Sequence, residues 1–526
     1  MATTGTIVMK NVTRQKVLVL GEHPINPEPF DQRRLTFTPI TMEQLDDNEL
    51  TNTACGVLLA PHPGKFGLIY TYFEERFHRA CERGLMTAIY VTGKKVQVSE
   101  IRDGVYATYK VGEDIENLTK RRQWVESLPW VYLDDREWAI AETLARYDPG
   151  PPLGAPMIKK IGDAKSLEPE SEALLRRAFY NADRITVKRL EGGKTAKETF
   201  CVFANLPEAE YGPQPMPFFV KLGSAWRIAD EKRHYLEVAE PFIPFHLRPT
   251  LNTARSVTTL NTAALVCNFV ESAVSLREAL RAGQGHGAIF SLFEITLRGL
   301  RSHTSIKPKR LGVVEAFLDL KVRAREIEEK HPARIKELTD RGMTRKPQEI
   351  EQILRARATK IKTHDGPYHG DLHYGNIMVR NRDAIVIDFG SMEPFGPLYA
   401  DPAVLEVSLV FGTDNHDDPK SYDDWREFVD FIFLNPLSPP VAKGDHPQFG
   451  WLHKAIRELR HVVACCGVEE PEALIILAGC LLRYARNAPL KLASEKLNLL
   501  AERRRAYALV VAYKICERLE QEDVAR

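Results

Sequence analysis

The sequence predicts an α/β module with a parallel sheet, followed by an α+β domain whose first lobe is strand-rich and whose second is largely helical. Three observations carry this. Apolar, β-branched runs alternate with a helical pattern between residues 16 and 93. The segment DPGPPLGAPM (148–157) then packs four prolines and two glycines into ten residues, which neither a helix nor a central strand tolerates. Beyond it, extended segments fill 185–271 and amphipathic helices most of the remainder. A chain of 526 residues is too long for one core. The expected division is 1–147 for the module, 148–163 for a linker, 164–271 for the strand-rich lobe and 272–526 for the helical one.

In the module, KVLVLGE (16–22), LTFTPI (35–40), CGVLLAP (55–61) and TAIYVTG (87–93) read as strands, and GLIYTYFEERFHRACERG (67–84) as a helix ending at Gly84. Strands are also expected at VYATYKVG (105–112) and LPWVYLDD (128–135), with a helix at REWAIAETLARY (136–147). This order resembles a receiver or flavodoxin-like domain. A phospho-accepting receiver carries acids after its first and third strands, whereas here Glu22–His23 and Ala60–Pro61–His62–Pro63 stand there, with no acceptor Asp. The expectation is a degenerate receiver-like domain that recognises a ligand or docks a protein partner. PHPGKFG (61–67) is not a P-loop, because Leu59 occupies the place of its first glycine. His23 and His62 either meet at the strand ends or face solvent.

Charge and composition exclude several classes. A net charge of +1 gives no electrostatic case for nucleic acid or an anionic membrane. Eight cysteines, at 55, 81, 201, 267, 465, 466, 480 and 516, form no CxxC pair and suit a reducing compartment. With no signal pattern and no apolar run near 20 residues, the expected location is the cytoplasm, without membrane or nucleic-acid partners.

The chemistry concentrates in YHGDLHYGNIMVRNRDAIVIDFGS (368–391). Two apolar runs, Ile377–Val379 and Ala384–Ile387, flank a polar Asn381–Asp383 turn, the pattern of a short hairpin. Asn376 then enters one strand and Asp388 leaves the other, so both lie on one edge, with Asp371 five residues before Asn376. An amide oxygen and carboxylates converging there suit Mg²⁺, which keeps some waters and shares its site with phosphates. Phosphoryl transfer needs those parts and a group to take the nucleophile's proton.

This stretch resembles the catalytic and metal-binding loops of the protein-kinase-like superfamily, in its aminoglycoside phosphotransferase and choline-kinase branch, where HGD (His369–Gly370–Asp371) replaces HRD. The resemblance implies a catalytic base at Asp371 and magnesium ligands at Asn376 and Asp388. It spans about two thirds of the chain. Upstream, ITVKRLEGGKTAKETFCVFA (185–204) reads as two strands around Gly192–Gly193–Lys194–Thr195. GGKT lacks the earlier glycine of a P-loop, Arg189 lying in that stretch, and resembles instead the family's loop over ATP, with Gly192, Gly193 and Thr195 at the phosphates. Lys221, in the strand MPFFVKLGS (216–224), takes the place of the lysine on the α- and β-phosphates. Glu231, on the expected helix IADEKRHYLEVAEPF (228–242), would hold it, with Glu237 the reserve. Strands 256–260 and 263–271 complete five, and residues 268–271, including Asn268 and Val270, fall at the adenine hinge.

Helices are expected at 275–283, 286–303, 314–331, 451–467, 471–488 and 498–521, with the mixed charges of 321–362 on a solvated face. Only thirteen residues separate Asp388 from Asp401 and no APE follows, which argues for a small-molecule acceptor. By resemblance, Asp401 braces the catalytic loop or joins His369 and Glu393 at the acceptor. Glu393, Asp414, Asp417 and Asp418 either wall the acceptor pocket with negative charge or face water. The function expected is ATP- and Mg²⁺-dependent transfer of the γ-phosphate to a small-molecule hydroxyl. Two alternatives stay open: a nucleotide-binding regulator or scaffold in a bacterial signalling or defence assembly, and a nucleotidyl transferase on the same fold.

Overall fold

The computed structural model describes five strands in the first 155 residues, and residues 156–525 apart from 163–166, 191–197, 207–214, 259–261, 286, 441–447, 465–466 and 490. The expected helices 67–84 and 136–147, the strand 105–112, His23, His62, the Gly192–Gly193–Thr195 loop and Cys465–Cys466 lie outside the described residues. The chain divides into two units, Met1–Asp230 with Thr250–Phe269, and Glu231–Pro249 with Val270–Arg526.

In the first unit, β1 (Gln15–Leu20), β2 (Leu35–Ile40), β3 (Ala54–Leu59), β4 (Met86–Val91) and β5 (Val131–Leu133) form a parallel sheet in the order β2-β1-β3-β4-β5. A second sheet follows the Pro/Gly-rich break. It contains β6 (Met157–Ile161), β7 (Arg184–Arg189), β8 (Glu198–Asn205), β9 (Pro215–Ser224), β10 (Val257–Thr258) and β11 (Thr262–Asn268), in the order β10-β11-β9-β8-β7-β6. That is six strands where five were expected. The extra one, β6, falls within the stretch read as linker, and its exposed Met157 and Ile161 explain why no buried alternation marks it. β6 pairs in parallel with β7, and α1 (Pro169–Ala178) supplies the crossover such a pair requires. Leu174, Leu175, Ala178 and Phe179 of this segment bury against Ile185, Val187, Phe200, Val220 and Val266 of the sheet.

The second unit begins inside a helix. α2 (Ala225–His234) opens into a π-helical turn, Tyr235–Ala239, before Glu240–Phe242. Pro241 brings no amide, and its ring crowds the carbonyl of Glu237, so the turn before it widens. The segment Glu231–Pro249, read from the sequence with the strand-rich lobe, belongs to this helical unit.

After β12 (Val274–Ser275) comes α3 (Leu276–Arg281), started by a capping box in which Ser275 and Glu278 satisfy each other's amides. The expected 286–303 helix is interrupted by a π-turn at Leu292–Thr296 and resumes as α4 (Arg298–Ile306). The expected 314–331 helix is two, α5 (Val313–Lys321) and α6 (Arg325–Lys330). The break is held by Glu351, whose carboxylate accepts the Ala324 amide at 2.6 Å. The solvated-face reading of 321–362 therefore fails at particular residues: Arg334 and Glu351 are buried, and Lys321 is 11% exposed. Each of the three has a carboxylate, an amide or a carbonyl to satisfy it within the fold.

Downstream, β13 (Asp365–Tyr368) leads into the catalytic stretch, and the hairpin β14 (Ile377–Arg380) and β15 (Asp383–Val386) pairs in the register Ile377↔Val386. Asn381 turns it with a left-handed φ of 59°, which asparagine tolerates. β16 (Glu393–Pro397) returns to pair with β13. α7 (Ala400–Phe411) is buried along its whole length, as a helix apolar on every face must be. It lies among α9 (Gly450–Ala464), α10 (Glu470–Arg486) and α11 (Glu495–Ala525), with α8 (Tyr422–Leu434) tied in by Trp425, whose Nε1 donates to the Val410 carbonyl at 2.9 Å. Of the two buried acids of α7, Asp401 and Glu406, the latter accepts from Arg460 at 2.6 Å. No helix among the described residues is long and apolar enough to cross a membrane.

Candidate active site

The loop after β13 is held from behind. Asp401, in the first turn of α7, takes the backbone amides of His369 and Gly370 on its two oxygens, at 2.8 and 2.9 Å. Burial pushes its carboxyl above the usual range; His369 and the two amides pull against that without cancelling it. His369 is fully buried. Its Nε2 donates to the Ile387 carbonyl at 3.2 Å, which leaves Nδ1 to accept the Asp371 amide at 3.4 Å. One imidazole thus joins the loop bearing Asp371 to the segment bearing Asp388. Both Asp401 oxygens are thus engaged by this loop, and both His369 ring nitrogens bond to backbone on either side of it.

Gly370 explains the HGD sequence. Its φ is +76°, and a Cβ there would lie 2.3 Å from the Ser391 carbonyl oxygen and 3.2 Å from the Lys321 Nζ. The arginine of an HRD motif has no room at this position.

The two expected magnesium ligands sit on the hairpin edge as the spacing predicts. Asn376 is buried and ends a 3-10 turn, Tyr374–Asn376. Its Nδ2 donates to the Asp371 carbonyl at 2.9 Å, so Oδ1 is its atom for a cation. The Asn376 carbonyl accepts the Ile387 amide at 2.9 Å, which locks the start of β14 to the end of β15. Asp388 follows with a left-handed φ of 61°. A Cβ on Gly390 would lie 3.4 Å from Glu231 Oε2 and 3.6 Å from Asp388 Oδ1, so Glu231 brings its carboxylate to the same glycine. Phe389 is buried between Tyr235 of the π-turn, 5.4 Å away edge to face, and His369 at 6.1 Å. Among the described residues no group of three or more His, Cys, Asp or Glu is placed so that it could hold a metal ion by itself. Two hard oxygen donors fit Mg²⁺, whose remaining positions water and phosphate normally fill.

Two cations that the sequence reading missed stand beside Asp371. Arg483, in the last turn of α10, donates from Nη2 to Asp371 Oδ1 and from Nη1 to the Gly370 carbonyl, both at 2.7 Å. The fork fixes carboxylate and backbone together. Lys321, at the end of α5, lies 3.5 Å from the Ser391 carbonyl and 3.9 Å from Glu393 Oε1, which places Glu393 opposite a lysine. Burial drives its ammonium below the usual lysine range. The Arg483 charge acts in the same sense, against Glu393, Asp371 and Asp401. No local signal marks either cation, since Arg483 is 112 residues from Asp371.

Two of the acids expected to line a pocket or face water are paired with arginines, and one of these, Asp417, lines a cavity away from Asp371. Asp414 and Asp417 bind Arg277 and Arg281 at 2.7–3.1 Å, and Asp417 also meets Arg504 at 3.3 Å. Asp418 is exposed and caps the following turn through the Lys420 amide.

The remaining expected residues belong to the first unit or its border. Lys221 is buried in β9, paired in register with Thr199 of β8 and Leu265 of β11. Asn268 ends β11, where its backbone amide donates to the Thr250 carbonyl at 3.1 Å and its Oδ1 accepts the Thr250 amide. Val270 is half-buried just beyond.

A match to the family described as "Ternary complex associated domain 9" spans residues 323–515, over a third of the chain. No curated protein matches. Among solved structures, an aminoglycoside phosphotransferase from Streptomyces rimosus is similar at 16% identity, covering 55% of this chain and 97% of its own, with a TM-score of 0.29. An aminoglycoside phosphotransferase in ternary complex with AMP-PNP and hygromycin B follows at 10% identity, 63% and 93% coverage and a TM-score of 0.35. A glucosamine kinase bound to glucosamine, ADP and inorganic phosphate is similar at 15% identity, 67% and 86% coverage and a TM-score of 0.31.

Proposed function

We propose that the chain is an ATP- and Mg²⁺-dependent phosphotransferase acting on a small-molecule hydroxyl. One observation carries the reading: a braced Asp371 lies on the loop that Asn376 and His369 tie to the segment of Asp388. Asn376 and Asp388 would hold the ion, which when bound neutralises charge on the phosphates. Asp371 accepts the acceptor's proton as its oxygen bonds the γ-phosphorus and the bond to the ADP oxygen breaks. We assign that proton to the Asp371 carboxylate, whose Oδ1 is held by Arg483 and whose Oδ2 lies 3.8 Å from His373 Nε2. Lys221 and the Gly192–Gly193–Thr195 loop orient the phosphates, with Glu231 partnering the lysine, and residues 268–270 meet the adenine. Positioning and electrostatics carry the rate. The brevity of the segment from Asp388 to Asp401 supports a small acceptor over a polypeptide. The order β2-β1-β3-β4-β5 supports a receiver- or flavodoxin-like front module, which we assign to a protein partner in the cytoplasm.

The test is product mass after incubation with labelled ATP and a panel of small alcohols. Gain of phosphate supports the proposal, and gain of AMP makes the chain a nucleotidyl transferase. Asp371→Asn should lower turnover by about 10²–10⁴-fold, the usual share of a general base. The family description, which names a ternary complex, favours a second reading, a nucleotide-binding component of an assembly. ADP binding without any transfer, together with a stable protein partner, would establish it.

A further inference from the structure

A cavity of about 280 Å³ opens between α3, α8, α11 and the segment after α7. Arg277 and Arg281 from α3, Arg504 from α11, Trp425, Ser421 and Trp451 line it. Arg277 and Arg504 have side chains only 3% and 1% exposed. Three guanidinium groups meet two carboxylates here, those of Asp414 and Asp417, so one positive charge is left over. A buried uncompensated charge is expensive. Arg277 Nη1 and Arg504 Nε are buried with no hydrogen-bond partner among the described residues.

Aromatic rings cover the faces of these cations. Arg277 lies over Tyr374 at 5.1 Å and Trp451 at 5.6 Å, Arg281 over Trp451 at 5.3 Å, and Arg504 over Trp425 at 5.0 Å. With the faces stacked, the N–H edges are what remains to bind a ligand. Forked guanidinium edges suit the oxygens of phosphate or carboxylate. The third acid near the cavity, Asp418, sits exposed at its rim.

We propose that this cavity binds a small oxyanion, of the size and charge of inorganic phosphate, which supplies the missing negative charge. Burial pushes the Arg504 guanidinium below its usual range, whereas the Arg277 guanidinium, buried as deeply, is held above its own by Asp417, Tyr374 and Asp414, so the shortfall falls on Arg504. The site is separate from the one assigned to ATP, and its occupancy does not depend on the phosphotransferase reading. Because Arg277 stacks on Tyr374, the bound anion would rest one side chain from the turn joining Asp371 to Asn376.

The experiment compares melting of the full chain, saturated with MgADP, in sodium phosphate and in sodium chloride of equal ionic strength. A rise of about 1–2 °C is expected in phosphate at ten times its Kd. The rise should vanish in Arg281→Gln and in Gln448→Glu. The latter places a carboxylate at the exposed Gln448 of the cavity wall, leaves every ion pair intact, and so decides the matter if Arg281→Gln does not fold. Asp388→Asn should keep the rise. No rise in the parent protein, an equal rise in Gln448→Glu, or loss of the rise in Asp388→Asn alone would overturn the proposal.

Discussion

Replacing Arg483 with Met removes both contacts that the guanidinium makes to the catalytic loop. A hydrogen bond to a charged group contributes about 1.5–3 kcal/mol. Asp371 is 36% exposed, so water takes over much of that role and the loss of stability should be only about 1 kcal/mol. The catalytic loss should be larger. With Oδ1 released, the carboxylate rotates and the Gly370 peptide loses its tether, and a misplacement of about 1 Å lowers rate by roughly 10²-fold. We therefore expect kcat to fall about 30–100-fold, or 2–3 kcal/mol of barrier. KM for ATP should hold, because the contacts are to the loop and not to the nucleotide elements. Arg483→Lys keeps the charge and loses the fork, so it should fall between the two. The assay is phosphate transfer from labelled ATP to the acceptor found by screening, or slow ATP hydrolysis in its absence, beside urea denaturation. A well-folded Arg483→Met protein with kcat within twofold of the parent would refute the positioning role. So would a stability loss above about 3 kcal/mol with catalysis untouched.

Three further outcomes follow from the same geometry. Gly370→Ala should lower stability by at least about 2 kcal/mol and abolish transfer, since it adds left-handed strain to a 2.3 Å clash with a carbonyl, whereas Gly390→Ala meets nothing closer than 3.4 Å and should fold normally by urea titration. Burial alone would raise the Asp414 carboxyl, but the Arg277 charge and the Arg281 hydrogen bond hold it below the usual range. Its folded pKa therefore lies under the unfolded value near 3.9, so its stabilisation is complete above about pH 4 and is lost as pH falls through the folded value. Urea midpoints between pH 5 and 3 should fall more steeply in the parent than in Asp414→Asn. Asn376→Ala should raise the Mg²⁺ concentration for half-maximal transfer by about 10–100-fold, read from a magnesium titration; an unchanged titration would remove Asn376 from the ion's ligands.

How much of this was legible in the sequence follows from how local each device is. The hairpin was readable because strand period, turn residues and the spacing of Asn376 and Asp388 all lie within a score of residues. The crossings of the chain were not. Asp401 finds the loop amides 31 and 32 residues away, Arg483 finds Asp371 across 112, and Glu351 captures an amide 27 residues upstream. Lys321 reads as one charge among many on a mixed helix, and only the return of β16 beneath it makes it a buried neighbour of the site. The same holds for Asp414 and Asp417, which look like loop acids until α3 and α11 bring arginines to them. The two π-turns lie inside runs of unbroken helical periodicity, and a widened turn leaves that periodicity almost intact. Edge strand β6 shows the opposite limit: a pattern too short and too exposed to stand out from a proline-rich break.

The balance between catalysis and mere nucleotide binding turns on what the fold maintains at a cost. Asp388 holds a left-handed φ of 61°, which aspartate tolerates better than most residues but glycine adopts more freely still. The carboxylate there stands on the hairpin edge beside Asn376 and is what a glycine would lack. Asp401 is buried, with its carboxyl pushed up, and accepts two loop amides that burial would otherwise leave unpaired. Arg483 is anchored at the end of α10, where Arg334 donates to the Ala485 carbonyl and pairs with Glu502, so the helix end that presents it is itself pinned. Each device fixes the direction of one carboxylate or the path of one loop. A binding surface gains little from a carboxylate aimed to within a fraction of an ångström, whereas proton transfer is lost without it. The clamp on Asp371 is thus a feature that the proposed reaction would use and that a scaffold would not require.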